Sequence, residues 1–241
     1  MAIADELIQW YKKYGRDLPW RNTSNPYIIW LSEIILQQTR VEQGTPYFHR
    51  FLEEFPHIKA FADAGEEAIL RQWQGLGYYS RARNMYKAAQ VVMSQFDGVF
   101  PSKYDDVIKL PGVGQYTAAA ISSFAINERK AVVDGNVFRV LSRYFGISTP
   151  INSSAGIKEF TLLAAELISS EEPGMYNHAI MDFGATVCKP KLPLCGICVL
   201  REGCAAYHTG SIAALPVKLK AKASRNRYFH YILVQRGGEL L

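Results

Sequence analysis

Two acidic residues stand in contrasting environments, and together they indicate proton-transfer chemistry. Glu33 lies in the strongly apolar segment 28–36, where removal from water is expected to raise its pKa. Asp134 precedes Gly-Asn-Val at an expected helix start, where backbone N–H groups and the helix dipole favour its ionised form. Carboxyl groups held at different pKa values are typical of sites with separate acid and anion roles. The alternatives are an ion pair of Glu33 with Arg16 or Arg21, and a purely structural N-cap role for Asp134.

A hairpin of sequence Leu-Pro-Gly-Val-Gly occupies residues 110–114. Pro111 ends the preceding short helix, and Gly112 and Gly114 permit a sharp reversal. The next helix is expected to start at Gln115, and its unpaired N–H groups would form a seat for an anion such as a phosphate. An ordinary helix-turn-helix corner is the alternative.

All four cysteines lie in one segment with the spacing C-x6-C-x2-C-x5-C. A secreted disulfide scaffold would be shorter and would spread its cysteines over several loops, so this grouping predicts a metal site. The spacing leaves zinc and a [4Fe–4S] cluster open, although zinc ribbons usually contain two C-x2-C pairs and this segment contains one. The four expected ligands are Cys188, Cys195, Cys198 and Cys204.

Helical periodicity extends over most of the chain and would position these groups. A first strand is predicted only at residues 228–235, which are aromatic and β-branched and precede a Gly-Gly turn. The predicted helices are 3–14, 26–36, 44–55, 66–73, 80–96, 104–109, 115–124, 137–145, 154–168 and 177–183.

The formal net charge of +5 comes entirely from the residues after 209, which leaves the rest of the chain neutral. Any surface that binds a polyanion must therefore be a local patch. The sequence contains neither a signal peptide nor an apolar run long enough to span a membrane, and its composition is that of a globular protein.

Five motifs occur in an order that resembles one known family. They are Leu-Pro-Trp-Arg at 18–21, Ser-Glu-Ile-Ile-Leu-Gln-Gln-Thr at 32–39, Gly-Leu-Gly-Tyr-Tyr-Ser-Arg at 75–81, the hairpin at 110–114 and Val-Asp-Gly-Asn-Val at 133–137. With the cysteine segment, they resemble the helix-hairpin-helix DNA glycosylases of the endonuclease III superfamily, and within it the MutY family of adenine DNA glycosylases. The resemblance covers about residues 1–210.

This resemblance implies an all-α fold of two helical lobes with a cleft between them. Residues 22–131 are expected to form a six-helix lobe with the hairpin, and residues 1–21 together with 132–208 a lobe carrying a structural [4Fe–4S] loop. Residues 209–227 would be a basic linker. Residues 228–241 would begin a truncated C-terminal domain, which in this family recognises 8-oxoguanine.

The resemblance also assigns catalytic roles. Glu33 would protonate adenine, and Asp134 would stabilise or trap the oxocarbenium-like sugar cation. Tyr116 stands where lyase-type relatives carry a nucleophilic lysine, and a phenol cannot form a Schiff base, so a monofunctional enzyme is expected. Tyr116 is expected to hydrogen-bond near Asp134, with Asn136 as a second polar support.

Further residues are expected to contact the DNA or its extruded base. His178 departs from the usual Gln or Glu of the adenine pocket, and an imidazole titrating near neutrality there would alter the pH profile. Lys189 and Lys191 are expected to contact phosphates, or else to be merely solvated. The remaining predicted contacts are Gln38 and Tyr78 as inserting residues with Thr39 and Leu76 beside them, Arg16, Trp20, Arg21 and Leu36 around adenine, and Gly112 and Gly114 at the backbone.

These features together predict a monomeric adenine DNA glycosylase that acts on double-stranded DNA with an A:8-oxoguanine or A:G mispair. Its expected location is the cytoplasm, associated with the bacterial nucleoid. One alternative is a bifunctional endonuclease III-like enzyme for oxidised pyrimidines, which Tyr116 and the predicted tail disfavour. The other is a non-enzymatic DNA-binding module with a redox-sensing cluster, which would have no need of a buried Glu33.

Overall fold

The computed structural model describes residues 3–220, 228–231, 235–236 and 239–240. Helices dominate this part of the chain, as predicted. Short 3-10 turns occur at Pro19–Arg21, Cys195–Ile197 and Arg201–Gly203. The α-helices are α1 Ile3–Tyr14, α2 Pro26–Ile35, α3 Val41–Glu54, α4 Ile58–Asp63, α5 Gly65–Gln72, α6 Ser80–Gln95, α7 Tyr104–Val107, α8 Gln115–Ile126, α9 Gly135–Phe145, α10 Ser154–Leu167, α11 Pro173–Thr186 and α12 Ala205–His208.

The end of the chain differs from the predicted strand. Residues 228–231 have no regular secondary structure, and residues 232–234 lie outside the described part. The two strands described here are β1 Gln235–Arg236 and β2 Glu239–Leu240, which pair antiparallel. Tyr228, Phe229 and Tyr231 are largely exposed.

Helix α2 is the central helix that carries Glu33. Asn25 caps it by accepting a hydrogen bond from the Tyr27 N–H at 3.0 Å, and Pro26 suits the first turn because its missing N–H would be unpaired there anyway. The helix is apolar on nearly every side, with Trp30 and Leu31 fully buried, and it packs against α8. This packing places Glu33 next to the start of α8.

The described residues bury two hydrophobic clusters. The first contains residues from Trp20 to Ile121, and the second combines α1 with residues from Ala119 to Leu200. Helix α8 belongs to both, because Ala118 and Ile121 face the first cluster and Ala119 and Ala120 the second. A helix apolar on two sides is expected between two cores. Its N-terminus follows the 110–114 hairpin.

Candidate active site

Most of the predicted site residues line one cavity of about 330 Å³. Its size is typical of sites for small molecules, which run from roughly 300 Å³ upward. Glu33 reaches it from α2, Tyr116 from α8 and His178 from α11, while Asp134 lies at the start of α9. The other predicted residues lining it are Arg16, Trp20, Arg21, Leu36, Gln38, Thr39 and Asn136.

Glu33 has the raised pKa expected from its apolar surroundings. Burial, the largest cause, and the negative charge of Asp134 together raise the pKa of the carboxyl to about 7, although a hydrogen bond with Tyr116 and the charge of Arg21 lower it. No salt bridge to Glu33 occurs among the described residues, since both candidate arginines pair elsewhere. A carboxyl with this pKa can hold a proton near neutral pH and donate it.

Asp134 caps α9 through its side chain. Its Oδ1 accepts hydrogen bonds from the N–H groups of Asn136 and Val137 at 2.9 and 2.8 Å, and its Oδ2 accepts one from Asn136 Nδ2 at 2.7 Å. These bonds lower the pKa of Asp134, but burial raises it more, so the net direction is upward. The bonds at the helix start favour the ionised form as expected, but they do not decide the net direction of the pKa, because the carboxyl is also withdrawn from water.

Tyr116 lies between the two carboxyl groups. Its hydroxyl forms a hydrogen bond with Glu33, and burial together with the charges of Glu33 and Asp134 raises its pKa well above the ordinary value. The phenol is therefore neutral and acts as a donor. Its direct partner is Glu33, whereas the sequence analysis expected a bond near Asp134.

The buried carboxylate of Asp182 was not identified from the sequence. Its side chain is fully buried and accepts hydrogen bonds from Arg16 Nε at 2.9 Å and Arg21 Nη2 at 2.7 Å. Burial raises its pKa, but the bonds to Arg21 and Arg16 outweigh this and lower the pKa to about 2. An aspartate between Ile180 and Phe183 in an apolar helix was the available signal.

His178 stacks between two aromatic rings. Its ring centroid lies 3.8 Å from that of Phe124 and 6.1 Å from that of Tyr11, with nearly parallel planes. Burial and the charge of Arg21 lower its pKa to about 3, although Asp182 opposes this. The prediction of an imidazole titrating near neutrality was wrong, because the ring is withdrawn from water beside a cation. His178 is a neutral member of the pocket wall.

The two predicted inserting residues share an unusual backbone conformation. Gln38 has φ +60° and Tyr78 has φ +46°, and both side chains are exposed. Non-glycine residues rarely adopt this left-handed region. Leu76, predicted beside them, is instead buried in the first hydrophobic cluster. Leu76 therefore anchors the loop of Tyr78 in this cluster.

The hairpin has the geometry of an anion seat. Gly112 has φ +78°, and Gly114 is the N-cap of α8. Because glycine has no side chain, none caps the first N–H groups of this helix. Lys189, half-buried, and Lys191, exposed, lie in the cysteine segment and outside the cavity that holds Glu33.

The four cysteines surround one small cavity, together with Arg143, Val187, Pro193, Leu194 and Ile212. All four are free thiols, and burial raises the pKa of Cys198 to about 11. Within the described residues, no three Cys, His, Asp or Glu side chains lie close enough to hold a single metal ion. Four soft thiol donors around one cavity are the donor set of either a zinc ion or a [4Fe–4S] cluster.

Arg139 joins the cysteine segment to the carboxylate of Asp134 through Asn136. Its Nε donates to the Cys188 carbonyl at 2.7 Å, and its Nη2 donates to Asn136 Oδ1 at 2.8 Å. Asn136 in turn donates to Asp134, so one side chain separates the arginine from the carboxylate. Sequence reasoning did not identify Arg139, because an arginine inside an amphipathic helix usually reaches solvent.

Known proteins resemble this chain in sequence. A family model described as "HhH-GPD superfamily base excision DNA repair protein" matches residues 31–162. An adenine DNA glycosylase of Buchnera aphidicola subsp. Baizongia pistaciae is 40% identical over 240 residues, covering 97% of this chain and 67% of that protein. The adenine DNA glycosylase of Mus musculus is 39% identical over 227 residues, covering 89% of this chain and 44% of that protein. The chain thus spans about two thirds of the bacterial relative and less than half of the mouse one.

Solved structures share the helical architecture. A thermostable thymine-DNA glycosylase matches with a TM-score of 0.79 and 29% identity, over 86% of this chain and 95% of that one. A non-covalent endonuclease III–DNA complex matches with a TM-score of 0.71 and 24% identity, over 86% and 94% of the two chains. In the described residues, no helix is long and apolar enough to cross a membrane.

Proposed function

Because the chain belongs to the HhH-GPD superfamily of base excision DNA repair proteins, and within it to the adenine DNA glycosylases, we propose that it releases adenine mispaired with 8-oxoguanine or guanine in double-stranded DNA. The observation that carries this proposal is the single cavity shared by Glu33, with its pKa near 7, and Asp134. Release of a nucleobase requires both a proton for the leaving base and an anion for the sugar cation.

The catalytic step follows from these two groups. Glu33 donates its proton to the extruded base, which makes the base a better leaving group. Asp134, with two backbone N–H bonds and the Asn136 amide, provides the negative charge that stabilises the cationic sugar. Tyr116 hydrogen-bonds to Glu33 and orients it. Residue 116 carries no amine, so the abasic strand remains uncut and the enzyme is monofunctional.

Adenine recognition is assigned to aromatic and polar side chains that line the same cavity as Glu33. His178 is neutral and has one donor and one acceptor nitrogen, which match the donor and acceptor pairs at an adenine edge. The stack with Phe124 and Tyr11 holds the ring in place. Asp182 fixes the positions of Arg16 and Arg21, and Trp20 and Leu36 complete the apolar lining.

The DNA backbone is held outside this cavity. Gly112 and Gly114 present the first N–H groups of α8 to a phosphate. Gln38 and Tyr78, with Thr39 beside the first, fill the space left by the extruded base. Lys189 and Lys191 contact phosphates farther along the strand.

The cysteines hold a [4Fe–4S] cluster with a structural role. We assign residues 22–131 to one lobe and residues 1–21 with 132–208 to the cluster lobe, because the two hydrophobic clusters divide the chain at nearly these positions. The first lobe contains the seven helices α2 to α8, and not the six that the resemblance implied. Of the predicted linker 209–227, residues 221–227 lie outside the described part of the chain. The protein acts as a monomer on DNA in the cytoplasm, at the nucleoid.

A single-turnover assay tests this function. Duplexes with adenine opposite 8-oxoguanine, guanine or thymine are incubated with the protein, and strand breaks are measured with and without alkali. We expect release opposite 8-oxoguanine and guanine, visible only after alkali treatment. Glu33→Gln is expected to slow release by at least ~100-fold, since it removes the proton donor. Breaks without alkali, or a fully active Glu33→Gln variant, would refute the proposal.

Iron and sulfide analysis tests the cluster, and stoichiometric zinc would exclude it.

A further inference from the structure

Arg81 binds the backbone at the C-terminal end of α2. Its Nη1 donates to the carbonyl oxygens of Ile34 at 2.9 Å and Gln37 at 2.6 Å. The last carbonyls of a helix have no partner within the helix, so a cation with several donors satisfies them. Gln37 immediately precedes Gln38 in the chain. The bond from Arg81 to the Gln37 carbonyl therefore holds the backbone next to Gln38 in place.

The same guanidinium also binds the loop of Tyr78. Its Nη2 donates to the Leu76 carbonyl at 3.3 Å, and its central carbon lies 4.8 Å from the ring centroid of Trp73. The Trp73 indole N–H donates to the Gly77 carbonyl at 2.8 Å. One side chain thus holds the loops on both sides of the predicted insertion site.

Both loops need such support. Gln38 and Tyr78 have positive φ angles without being glycine, and such a backbone conformation is strained for a residue with a Cβ. A strained conformation persists only where surrounding contacts enforce it. Arg81 supplies these contacts to both loops at once, because its planar group has five donors in a fixed geometry.

Arg81 also keeps a buried polar atom without a partner. Its Nε has no hydrogen-bond partner among the described residues. A buried donor without a partner is destabilising, and Arg81 is retained here together with its bonds to both loops. Arg81 also lines a cavity of about 20 Å³. The other lining residues include Gln37, Asn84, Pro111 and Gly112, so the 110–114 hairpin also lies next to Arg81.

We infer that Arg81 is a positioning residue for base extrusion, which rests on the proposed function. It holds the loops of Gln38 and Tyr78 in their inserting conformations before DNA binds. The enzyme then avoids the entropic cost of ordering these loops when the adenine leaves the stack. The chemical step at Glu33 and Asp134 is independent of this role.

The test compares two substrates that differ only in the cost of extrusion. One has adenine opposite 8-oxoguanine, and the other has adenine opposite an abasic position, where less pairing must be broken. Arg81→Lys keeps the charge but cannot donate to both loops. We expect it to slow single-turnover release from the first substrate by about tenfold or more, and from the second by less than about threefold.

Arg83→Lys is the matched control, because Arg83 is on the same helix but exposed and paired with Glu66. We expect it to match the wild type on both substrates. Trp73→Phe keeps a ring in the core but removes the bond to Gly77, and it should show the same selective loss as Arg81→Lys. This second variant also tests the inference if Arg81→Lys does not fold. Equal slowing on both substrates, or none on either, would overturn the inference. A wild type that releases no adenine would instead refute the proposed function.

Discussion

At the scale of single residues, the pKa of Glu33 determines the pH range in which the pocket contains a proton donor. Burial is the largest cause of its raised pKa, and the nearby Asp134 adds to it. The carboxyl is therefore protonated below about pH 7 and ionised above. His178 has a pKa of about 3 and stays neutral throughout this range.

The rate of adenine release should follow the protonated fraction of Glu33. We expect the single-turnover rate to fall about tenfold per pH unit above pH 7, because only the acid form of Glu33 donates, and to fall again at low pH when Asp134, whose pKa is raised by burial, becomes protonated. His178→Gln should change the rate by about tenfold at most, the value of one hydrogen bond, and should leave the midpoint unmoved. If the midpoint shifted in the His178→Gln variant, the titration could not be that of Glu33 alone, and its assignment to Glu33 would be wrong.

Asp182 is expected to stabilise the fold as well as the pocket. Its pKa is lowered to about 2 by the two arginines, so its stabilising contribution is complete above the unfolded pKa of 3.8 and is lost as pH falls through 2. Asp182→Asn leaves Arg21 buried without its charge partner and should lower the free energy of unfolding at pH 7 by about 3–5 kcal/mol.

Urea unfolding at several pH values measures this loss. Asp63→Asn is the control, because Asp63 pairs with Lys59 at an exposed site and its loss should cost less than about 1 kcal/mol. The difference between the wild type and Asp182→Asn should shrink near pH 2. Equal losses for the two variants at pH 7 would contradict the importance of the buried pair.

At the scale of elements, the hairpin depends on one glycine more than on the other. A Cβ at Gly112 would lie 2.7 Å from the Asn84 Cβ, with φ at +78°, whereas a Cβ at Gly114 would meet nothing within 4 Å. We therefore expect Gly112→Ala to lower the free energy of unfolding by about 1–3 kcal/mol and Gly114→Ala to leave it nearly unchanged. Thermal unfolding of the two variants compares them directly, and equal midpoints would contradict this account.

Most long helices could be predicted from apolar periodicity, but their ends could not. Helix α3 begins at Val41, three residues before the predicted start at Gly44. Gly44 lies inside this helix because α2 comes close, and a Cβ there would be 2.7 Å from a Leu36 methyl group. Helix α4 was not predicted at all, since six residues are too few to show a period.

At the scale of the whole molecule, Arg139 links the cysteine segment to Asp134. Arg139→Met should lower both the iron content and the rate of base release, because it removes the bonds to the Cys188 carbonyl and to Asn136. Arg201→Met is the control, since Arg201 lies in the same segment but forms its salt bridge with the exposed Glu202. Iron analysis and single-turnover rates test both variants. Loss of iron with an unchanged rate would mean that the link carries no functional coupling.

The sequence by itself determined the residue types at the site, the spacing of the cysteines and the helical class. These follow from local chemistry, since periodicity, glycine positions and motif order are all properties of neighbouring residues. The tertiary structure decided the neutral state of His178, the raised pKa of Asp134, the partners of Asp182 and the two loops joined by Arg81. Each of these depends on which distant side chains surround a group and how far they exclude water, and no local pattern encodes that.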